Sequence, residues 1–235
     1  MEGTAGAPKG PWCTGVVREV DHPHDRAVVL RIEVPDRMDH MPGQHYVVRL
    51  TAEDGYTASR SYSVASDPGD PLLELYVERL DDGEVSPYLA DVVEPGDELE
   101  LRGPIGGWFG WEANRAAIGV AGGTGVVPFV SMLRHARAVG RPGLLRLLVS
   151  ARTLEELPYA GELDGASVVL TRSAYGERAA GRITADDLGV LVRDQHDAAY
   201  VCGSAGFAEA ASRLLVDLGV PADRVRVERF GPSGG

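Results

Sequence analysis

The chain has 235 residues, enough for two modest domains, and 44% of them are hydrophobic, so each domain can bury a core. It has no apolar run near the roughly 18 residues that cross a membrane, and its first eleven residues lack the apolar stretch of a secretory signal, so we expect a cytoplasmic protein. A net charge of −12 argues against nucleic acid as a partner.

After a lead-in of residues 1–11 that we expect to be disordered, the first half of the chain predicts short strands. Six segments have β-branched or alternating apolar residues and are separated by turn residues. They are residues 14–20, 26–34, 44–50, 60–65, 72–80 and 98–102. This pattern predicts a six-stranded antiparallel β-barrel. One short helix interrupts it, with Ser86 expected as the N-cap and Pro87 as the first helical residue.

The pattern changes near residues 111–114, where we place the boundary between a first domain (12–113) and a second domain (114–235). Short apolar runs now alternate with helical spacing, as in Val126, Phe129 and Leu133, and Ser204 is the expected N-cap of a later helix. The strands are predicted at residues 116–121, 144–150, 166–170, 198–202 and 225–230. Strands that alternate with helices predict an α/β domain with a five-stranded parallel sheet.

The same boundary divides the charge. Residues 1–113 contain 9 basic and 22 acidic side chains, a net charge of −13, whereas residues 114–235 contain 14 and 13, a net charge of +1. The acidic half repels a dinucleotide phosphate and the second half does not, which favours the second domain as the site for a dissociable dinucleotide. Acidic loops that keep the first domain soluble would also account for the asymmetry.

The stretch Arg60-Ser61-Tyr62-Ser63 is the first candidate site. Along a strand, Arg60 and Tyr62 point to one face and Ser63 to the other. Arginine can bind phosphate oxygens, and tyrosine can lie against an aromatic ring. Such a string is weak evidence alone, because ordinary strands contain it too. Two segments strengthen a flavin interpretation: residues 83–86 open a helix, whose free N–H groups can bind an anion, and the glycines of residues 103–107 allow a ligand to approach the backbone closely.

Residues 122–128 form the second candidate site, a Gly-Gly-Thr-Gly loop between a buried strand and a helix. This is the context that a phosphate-binding glycine loop requires, although Pro128 stands where a third glycine would be. Strand ends further along carry Arg152, Thr171-Arg172 and, nearby, Arg178. Arginines at these positions favour NADPH over NADH; the alternative is that they are solvated surface residues.

Cysteine and histidine are too sparse for a metal centre. The two cysteines, Cys13 and Cys202, cannot ligate an iron–sulfur cluster. His22 and His24 have metal-like spacing without a third ligand, so we predict no metal. Cys202-Gly203 ends a strand of the parallel sheet, where a cysteine could lie against a nicotinamide; a buried small hydrophobic residue is the competing interpretation.

Together these motifs resemble those of the ferredoxin–NADP⁺ reductase family of flavoproteins, over residues 12 to 231. The motifs that carry the resemblance occur in family order: Arg60-Ser61-Tyr62-Ser63, Gly83-x-Val85-Ser86, Gly103-Pro104-Ile105-Gly106, Gly122-Gly123-Thr124-Gly125-x-x-Pro128, Cys202-Gly203 and Glu228-Arg229-Phe230. The family has an FAD-binding barrel followed by a pyridine-nucleotide domain, which is the order predicted here.

The resemblance also implies which residues bind the cofactors. The implied FAD set is Arg60, Ser61, Tyr62, Ser63, Gly83, Val85, Ser86 and Phe230. In it, Arg60 would hold the pyrophosphate, Tyr62 would stack on the flavin ring, and Ser63 would support hydride transfer near N5. The implied NAD(P) set is Gly123, Thr124, Gly125, Arg152, Thr171, Arg172, Arg178, Cys202 and Gly203. Cys202 would position the nicotinamide, and Glu228 would belong to the polar set at the flavin edge.

This sequence differs from known members of the family in two ways that affect the expected function. Phe230 stands where plant-type members end in a flavin-covering tyrosine, which resembles the reductases of bacterial oxygenases. Those members often carry a fused iron–sulfur domain, which this sequence does not contain, so we expect electrons to leave to a separate ferredoxin, an oxygenase component or a small acceptor. The acidic first domain is awkward for an acidic ferredoxin, unless Arg18, Arg31, Arg49 or Arg102 forms a basic patch.

The predicted function is an NAD(P)H-dependent FAD oxidoreductase. Two alternatives stay open at this point. One is a flavin reductase, for which free flavin is a substrate. The other is a redox-silent subunit that binds the nucleotides without turnover.

Overall fold

The structure, a computed structural model, describes residues 11–193 and 196–230. The predicted lead-in lies outside the described residues, apart from Pro11. The chain divides into two compact units, Met1–Gly110 and Trp111–Gly235, which we call the N-terminal unit and the C-terminal unit. The predicted domain boundary, after residue 113, lies three residues further along the chain.

The N-terminal unit contains the six-stranded antiparallel sheet that the sequence predicts. Its strands are β1 (Cys13–His24), β2 (Ala27–Glu33), β3 (His45–Thr51), β4 (Thr57–Ser63), β5 (Leu73–Glu78) and β6 (Glu98–Ile105). They are arranged in the order β4-β3-β6-β1-β2-β5. Both β1 and β6 continue beyond their predicted ends, because pairing with neighbouring strands carries them past the β-branched runs.

Alternate side chains of β2 and β3 are buried in the core of this unit. Val28, Leu30 and Ile32 of β2 are all fully buried, as expected for one face of a pleated strand. The outer strands β4 and β5 approach each other just beyond the end of β4, where Val64 bridges Leu75. The sheet thus curls toward a barrel without closing along its whole edge.

The short helix α1 (Ser86–Asp91) corrects one prediction. Ser86 is the first helical residue and is not the N-cap, a position that buried Val85 occupies without a side-chain cap. The Ser86 hydroxyl instead accepts a hydrogen bond from the backbone N–H of Leu80 (3.1 Å). A hydroxyl that closes the preceding loop is not available to cap the helix, so sequence preference for serine at N-caps was overridden by this tertiary contact.

The C-terminal unit is a parallel five-stranded sheet in the order β11-β10-β7-β8-β9. Its strands are β7 (Ala117–Gly122), β8 (Leu145–Ala151), β9 (Ser167–Leu170), β10 (Ala198–Ser204) and β11 (Val225–Phe230). Helices α2 (Val127–Ala138) and α4 (Ala205–Asp217) follow β7 and β10 as predicted, and Ser204 caps α4 through the Phe207 N–H. Every residue of the central strand β7 is buried, which explains its unbroken run of small apolar residues.

A third helix of this unit, α3 (Ala185–Val192), was missed by the sequence reasoning. Its signal is a capping box: the Thr184 side chain accepts from the Asp187 N–H, and the Asp187 carboxylate accepts from the Thr184 N–H (2.8 Å). The buried residues Leu188 and Leu191 give it an apolar face three residues apart. Within the described residues, no helix is long and apolar enough to span a membrane.

Candidate flavin and nucleotide sites

Strand β4 lies at an edge of the N-terminal sheet and displays the first predicted site. It pairs with β3, so Tyr62 lies opposite Tyr46 and Arg60 opposite Val48. Arg60 and Tyr62 therefore share a face, as the alternation predicts. The Arg60 side chain is exposed, and its Nη1 donates to the Ser59 carbonyl at 2.7 Å.

Arg60 differs from most other arginines of this acidic unit in its electrostatic surroundings. Arg18 pairs with Glu33, Arg49 with Glu100 (2.8 Å), and Arg31 with Glu74 (2.8 Å) and Asp70 (3.1 Å). Within the described residues, Arg60 forms no such ion pair, so its charge is available to an anionic ligand. The basic patch that the sequence analysis considered is therefore largely neutralised, because Arg18, Arg31 and Arg49 are each paired with a carboxylate.

Tyr62 is partly buried and packs against the core cluster of the N-terminal unit. Burial raises the pKa of its phenol well above the ordinary value, so the ring is neutral at physiological pH. A partly buried neutral ring beside an exposed guanidinium fits a ligand that combines an aromatic ring with phosphates. This combination is what FAD presents, and the residues present fit that cofactor.

The segment that follows β4 is fixed by buried polar contacts that the sequence reasoning missed. The Ser66 carbonyl lies 3.1 Å from Nε2 of buried His40, and the Ser66 hydroxyl accepts from the Glu74 N–H (3.0 Å). Burial, the main cause, lowers the pKa of His40, which keeps the imidazole neutral. The sequence contains no signal of this anchor beyond a histidine in a turn-like segment.

The glycines of the other two flavin motifs have structural reasons to be glycine. A Cβ on Gly83 would lie 2.9 Å from the Ser86 Oγ, and a Cβ on Gly103 would lie 2.6 Å from the Tyr46 ring. Gly106 has φ = 97°, a conformation that favours glycine. Beyond these glycines, the Trp108 side chain is 63% exposed. These positions shape the backbone around the predicted flavin site, whereas ligand contacts at Val85 and Ser86 stay a prediction.

The glycine loop of the C-terminal unit packs directly against the end of β10. The segment Gly123–Val126 is a turn of 3-10 helix between β7 and α2. A Cβ on Gly125 would overlap the Cys202 carbonyl group, and a Cβ on Gly122 or Gly203 would meet the Phe207 ring at 2.7 Å or 2.6 Å. Gly123 has φ = 56° and open space around its Cα. Residues 122–125 of the loop therefore lie against Cys202-Gly203, where the neighbouring strands β7 and β10 end.

Cys202 and Glu228 lie side by side in the register of β10 and β11. Cys202 is 3% exposed, and burial together with the Glu228 charge raises the pKa of its thiol. A thiol held in the protonated form is a poor nucleophile, so Cys202 is suited to packing against a ligand. Burial raises the pKa of Glu228 to about 7, so this carboxyl group can hold or release a proton near neutral pH.

The arginines predicted to favour NADPH have different environments. Arg178 donates to both carboxylate oxygens of Asp187, in the first turn of α3 (2.8 and 2.9 Å), and to the Ala179 carbonyl (2.7 Å). Its guanidinium therefore holds α3 in place. Arg152 pairs with Glu156 (2.6 Å). Arg172 is exposed beside it, with its N–H bonded to the Arg152 carbonyl (3.0 Å), and Thr171 is likewise exposed.

Phe230 is the remaining residue of the predicted flavin site. Phe230 ends β11, is 40% exposed and lies in register with Ser204. Its predicted contact with a flavin stays a prediction. Among residues 11–193 and 196–230, no cluster of three metal-ligating side chains occurs. Cys13 and Cys202 are both free thiols.

Comparison with known proteins assigns the two units. Residues 18–109 match the oxidoreductase FAD-binding domain, and residues 120–213 match the oxidoreductase NAD-binding domain. A 2-halobenzoate 1,2-dioxygenase electron transfer component from Burkholderia cepacia is 30% identical over 244 residues, which cover 94% of this chain and 68% of that protein. The reductase component of the naphthalene 1,2-dioxygenase/salicylate 5-hydroxylase systems of a Ralstonia species is 28% identical, covering 94% and 69%.

Solved structures agree on the fold. A ferredoxin NADP⁺ reductase from Neisseria gonorrhoeae with bound FAD and NADP superposes with a TM-score of 0.80 at 20% identity, covering 94% of this chain and 99% of that one. The FAD/NAD-binding domain of a nitric oxide dioxygenase from Vibrio cholerae gives 0.77 at 24% identity, covering 94% and 99%.

Fold and domains together define a two-domain oxidoreductase that binds a flavin and a nicotinamide nucleotide. The chain belongs to the ferredoxin–NAD(P)⁺ reductase family. The predicted family, the two-domain fold class and the two cofactors, FAD and NAD(P)H, are thereby confirmed.

Proposed function

We propose that this protein takes reducing equivalents from NAD(P)H and delivers them to a separate acceptor, a ferredoxin or an oxygenase component. The relatives named as reductase or electron transfer components of dioxygenase systems support that acceptor class. Bound FAD would supply the conversion of a hydride into single electrons. A reducing compartment such as the cytoplasm suits a chain with two free thiols.

The observation that carries the proposal is the shared face of Arg60 and Tyr62 on β4. Arg60 offers a guanidinium with no carboxylate partner in the described part of the chain, and Tyr62 offers a partly buried ring two residues away. Arg60 would bind the pyrophosphate of the flavin cofactor, and Tyr62 would pack against its ring. Ser61 and Ser63, with the backbone at Gly83, Val85 and Ser86, would complete the polar contacts.

In the C-terminal unit, the glycine loop and the end of β10 would bind the nicotinamide nucleotide. Gly123, Thr124 and Gly125 open a helix, where backbone N–H groups bind phosphate. Cys202 would pack against the nicotinamide without reacting, because its thiol stays protonated. Glu228 beside it would hold a proton near neutral pH.

A visible spectrum of the purified protein tests this function, first alone and then after anaerobic addition of NADH or NADPH. We expect yellow flavin absorption bands that bleach when either nucleotide is added. A colourless protein that oxidises NAD(P)H only when free flavin is supplied would instead identify a flavin reductase. A yellow protein that neither nucleotide bleaches would identify a redox-silent subunit.

A further inference from the structure

An ion pair lies in the turn that follows β8. We expect the ribose whose 2′ position distinguishes NADH from NADPH to bind near this turn. Strand β8 ends at Ala151, and the Arg152 Nε lies 2.6 Å from the Glu156 carboxylate. The two side chains are 48% and 37% exposed, so solvent and a ligand can both reach the pair. Glu155 precedes Glu156, which gives the turn two carboxylates for one guanidinium.

Sheet topology places this turn beside the glycine loop. Strand β8 is the hydrogen-bonded neighbour of β7, and Gly122, at the start of the loop, lies in register with Ser150. In open parallel sheets of this kind, the ribose lies over the end of the neighbouring strand, where a carboxylate suits the 2′-hydroxyl of NADH and an arginine suits the 2′-phosphate of NADPH. Both residue types are present here, and they are bonded to each other.

We propose that Glu156 is a donor-selectivity residue: it holds Arg152 in an ion pair and thereby lowers the preference for NADPH over NADH. Of the arginines near this edge, Arg178 is committed to Asp187, and Arg172 is the one that forms no ion pair within the described residues. A 2′-phosphate would therefore meet one available guanidinium and a nearby negative charge. The inference rests on the proposed function, because it concerns the same nucleotide site.

Glu156→Gln tests the proposal, because the amide keeps the side-chain shape and removes the charge that holds Arg152. We expect the ratio of kcat/KM for NADPH to that for NADH, measured with an artificial acceptor, to rise roughly fivefold to tenfold, as expected for a single charge near a phosphate. Glu209→Gln is the matched control. It removes the same charge from another exposed i,i+4 ion pair, Arg213–Glu209 on α4, and it should leave the ratio unchanged.

The double variant Arg152→Gln/Glu156→Gln shows whether the effect passes through Arg152. If Glu156 acts by holding that arginine, removing both side chains abolishes the gain in the NADPH:NADH ratio. A gain that persists in the double variant would overturn the proposal, because Glu156 would then act directly on the ribose. An unchanged ratio in Glu156→Gln would also overturn it. Absence of NAD(P)H oxidation by the wild-type protein would instead refute the proposed function itself.

Discussion

The N-terminal unit presents its candidate site through side chains, whereas the C-terminal unit forms its site from closely packed backbone. Arg60 and Tyr62 project from an edge strand, one exposed and the other partly buried. Gly125, in contrast, has no room for a Cβ against the Cys202 carbonyl group. Loss of the exposed Arg60 side chain in the first site should therefore affect cofactor binding with little loss of stability. Changes in the second should affect folding and binding together.

The sharpest test of this contrast is Gly125→Ala. Because the added Cβ would overlap backbone atoms of Cys202 and Gly203, we expect the free energy of unfolding of the C-terminal unit to fall by at least about 3 kcal/mol. Chemical denaturation followed by the far-UV helical signal measures this, since three of the four α-helices in the described part of the chain lie in that unit.

The control is Gly189→Ala in α3, where no atom lies within 4 Å of the added Cβ. It should stabilise the unit by about 0.5 to 1 kcal/mol, because alanine favours helix more than glycine does. If Gly125→Ala unfolds at the same denaturant concentration as the wild type, the close-packed description of the loop is wrong.

The next largest effect concerns the partly buried carboxyl group of Glu228. Its pKa is raised to about 7 in the folded protein, so the folded state keeps a proton that the unfolded chain loses near its ordinary value of about 4.3. Stability from this group is therefore fully present below about pH 4.3 and is lost as pH rises toward about 7. Allowing for partial exposure, we expect Glu228→Gln to gain about 2 kcal/mol relative to the wild type between about pH 4.5 and about pH 8.

Denaturation of both proteins across that pH range gives the difference, and Glu177→Gln serves as the control. Glu177 is an exposed carboxylate of the same unit, so removing its charge should change the free energy of unfolding by less than about 0.5 kcal/mol. Parallel pH profiles for Glu228→Gln and the wild type would show that Glu228 does not titrate in this range.

For the N-terminal unit, Tyr62→Ala should lower flavin binding, with some loss of stability because the ring packs against the core. We expect the variant to purify with roughly tenfold less flavin, because it lacks the ring that would pack against the cofactor. Tyr62→Phe keeps the ring and should retain the flavin. Absorbance of the purified proteins measures the flavin content. Equal flavin content in Tyr62→Ala and wild type would remove Tyr62 from the proposed site.

The smallest of these effects is expected for Arg60→Gln. Titration of flavin-free protein with FAD should give a Kd raised by about fivefold, and the difference should shrink as salt is added, because the lost interaction is electrostatic. The melting temperature should not change, since the Arg60 side chain is exposed. Arg18→Gln removes the same charge from an arginine already paired with Glu33, and it should bind FAD like the wild type. A salt-independent loss of affinity would contradict the assigned phosphate contact.

Local pattern was sufficient wherever the signal lies within a few consecutive residues. Alternation predicted that Arg60 and Tyr62 share a face, and the unbroken apolar run at 116–121 predicted a buried strand. The same reasoning missed α3, because the helix is only eight residues long and its capping box at Thr184 and Asp187 was overlooked. It also gave Ser86 the wrong role, since the partner of its hydroxyl, Leu80, is set by the folded loop.

What the sequence by itself determined is the order of the strands, the two-domain family and the positions of the glycine loop and the Arg-Ser-Tyr-Ser strand. These follow from residue types at short spacing, which limit the backbone locally. Only the tertiary structure decided which charges are available. Arg178 is paired with Asp187, Arg152 is paired with Glu156, and Glu228 is partly buried beside Cys202. The charge of each of these side chains depends on how close the fold brings a carboxylate to it and on how far the fold removes it from water. The spacing of residues in the sequence specifies neither that distance nor that burial.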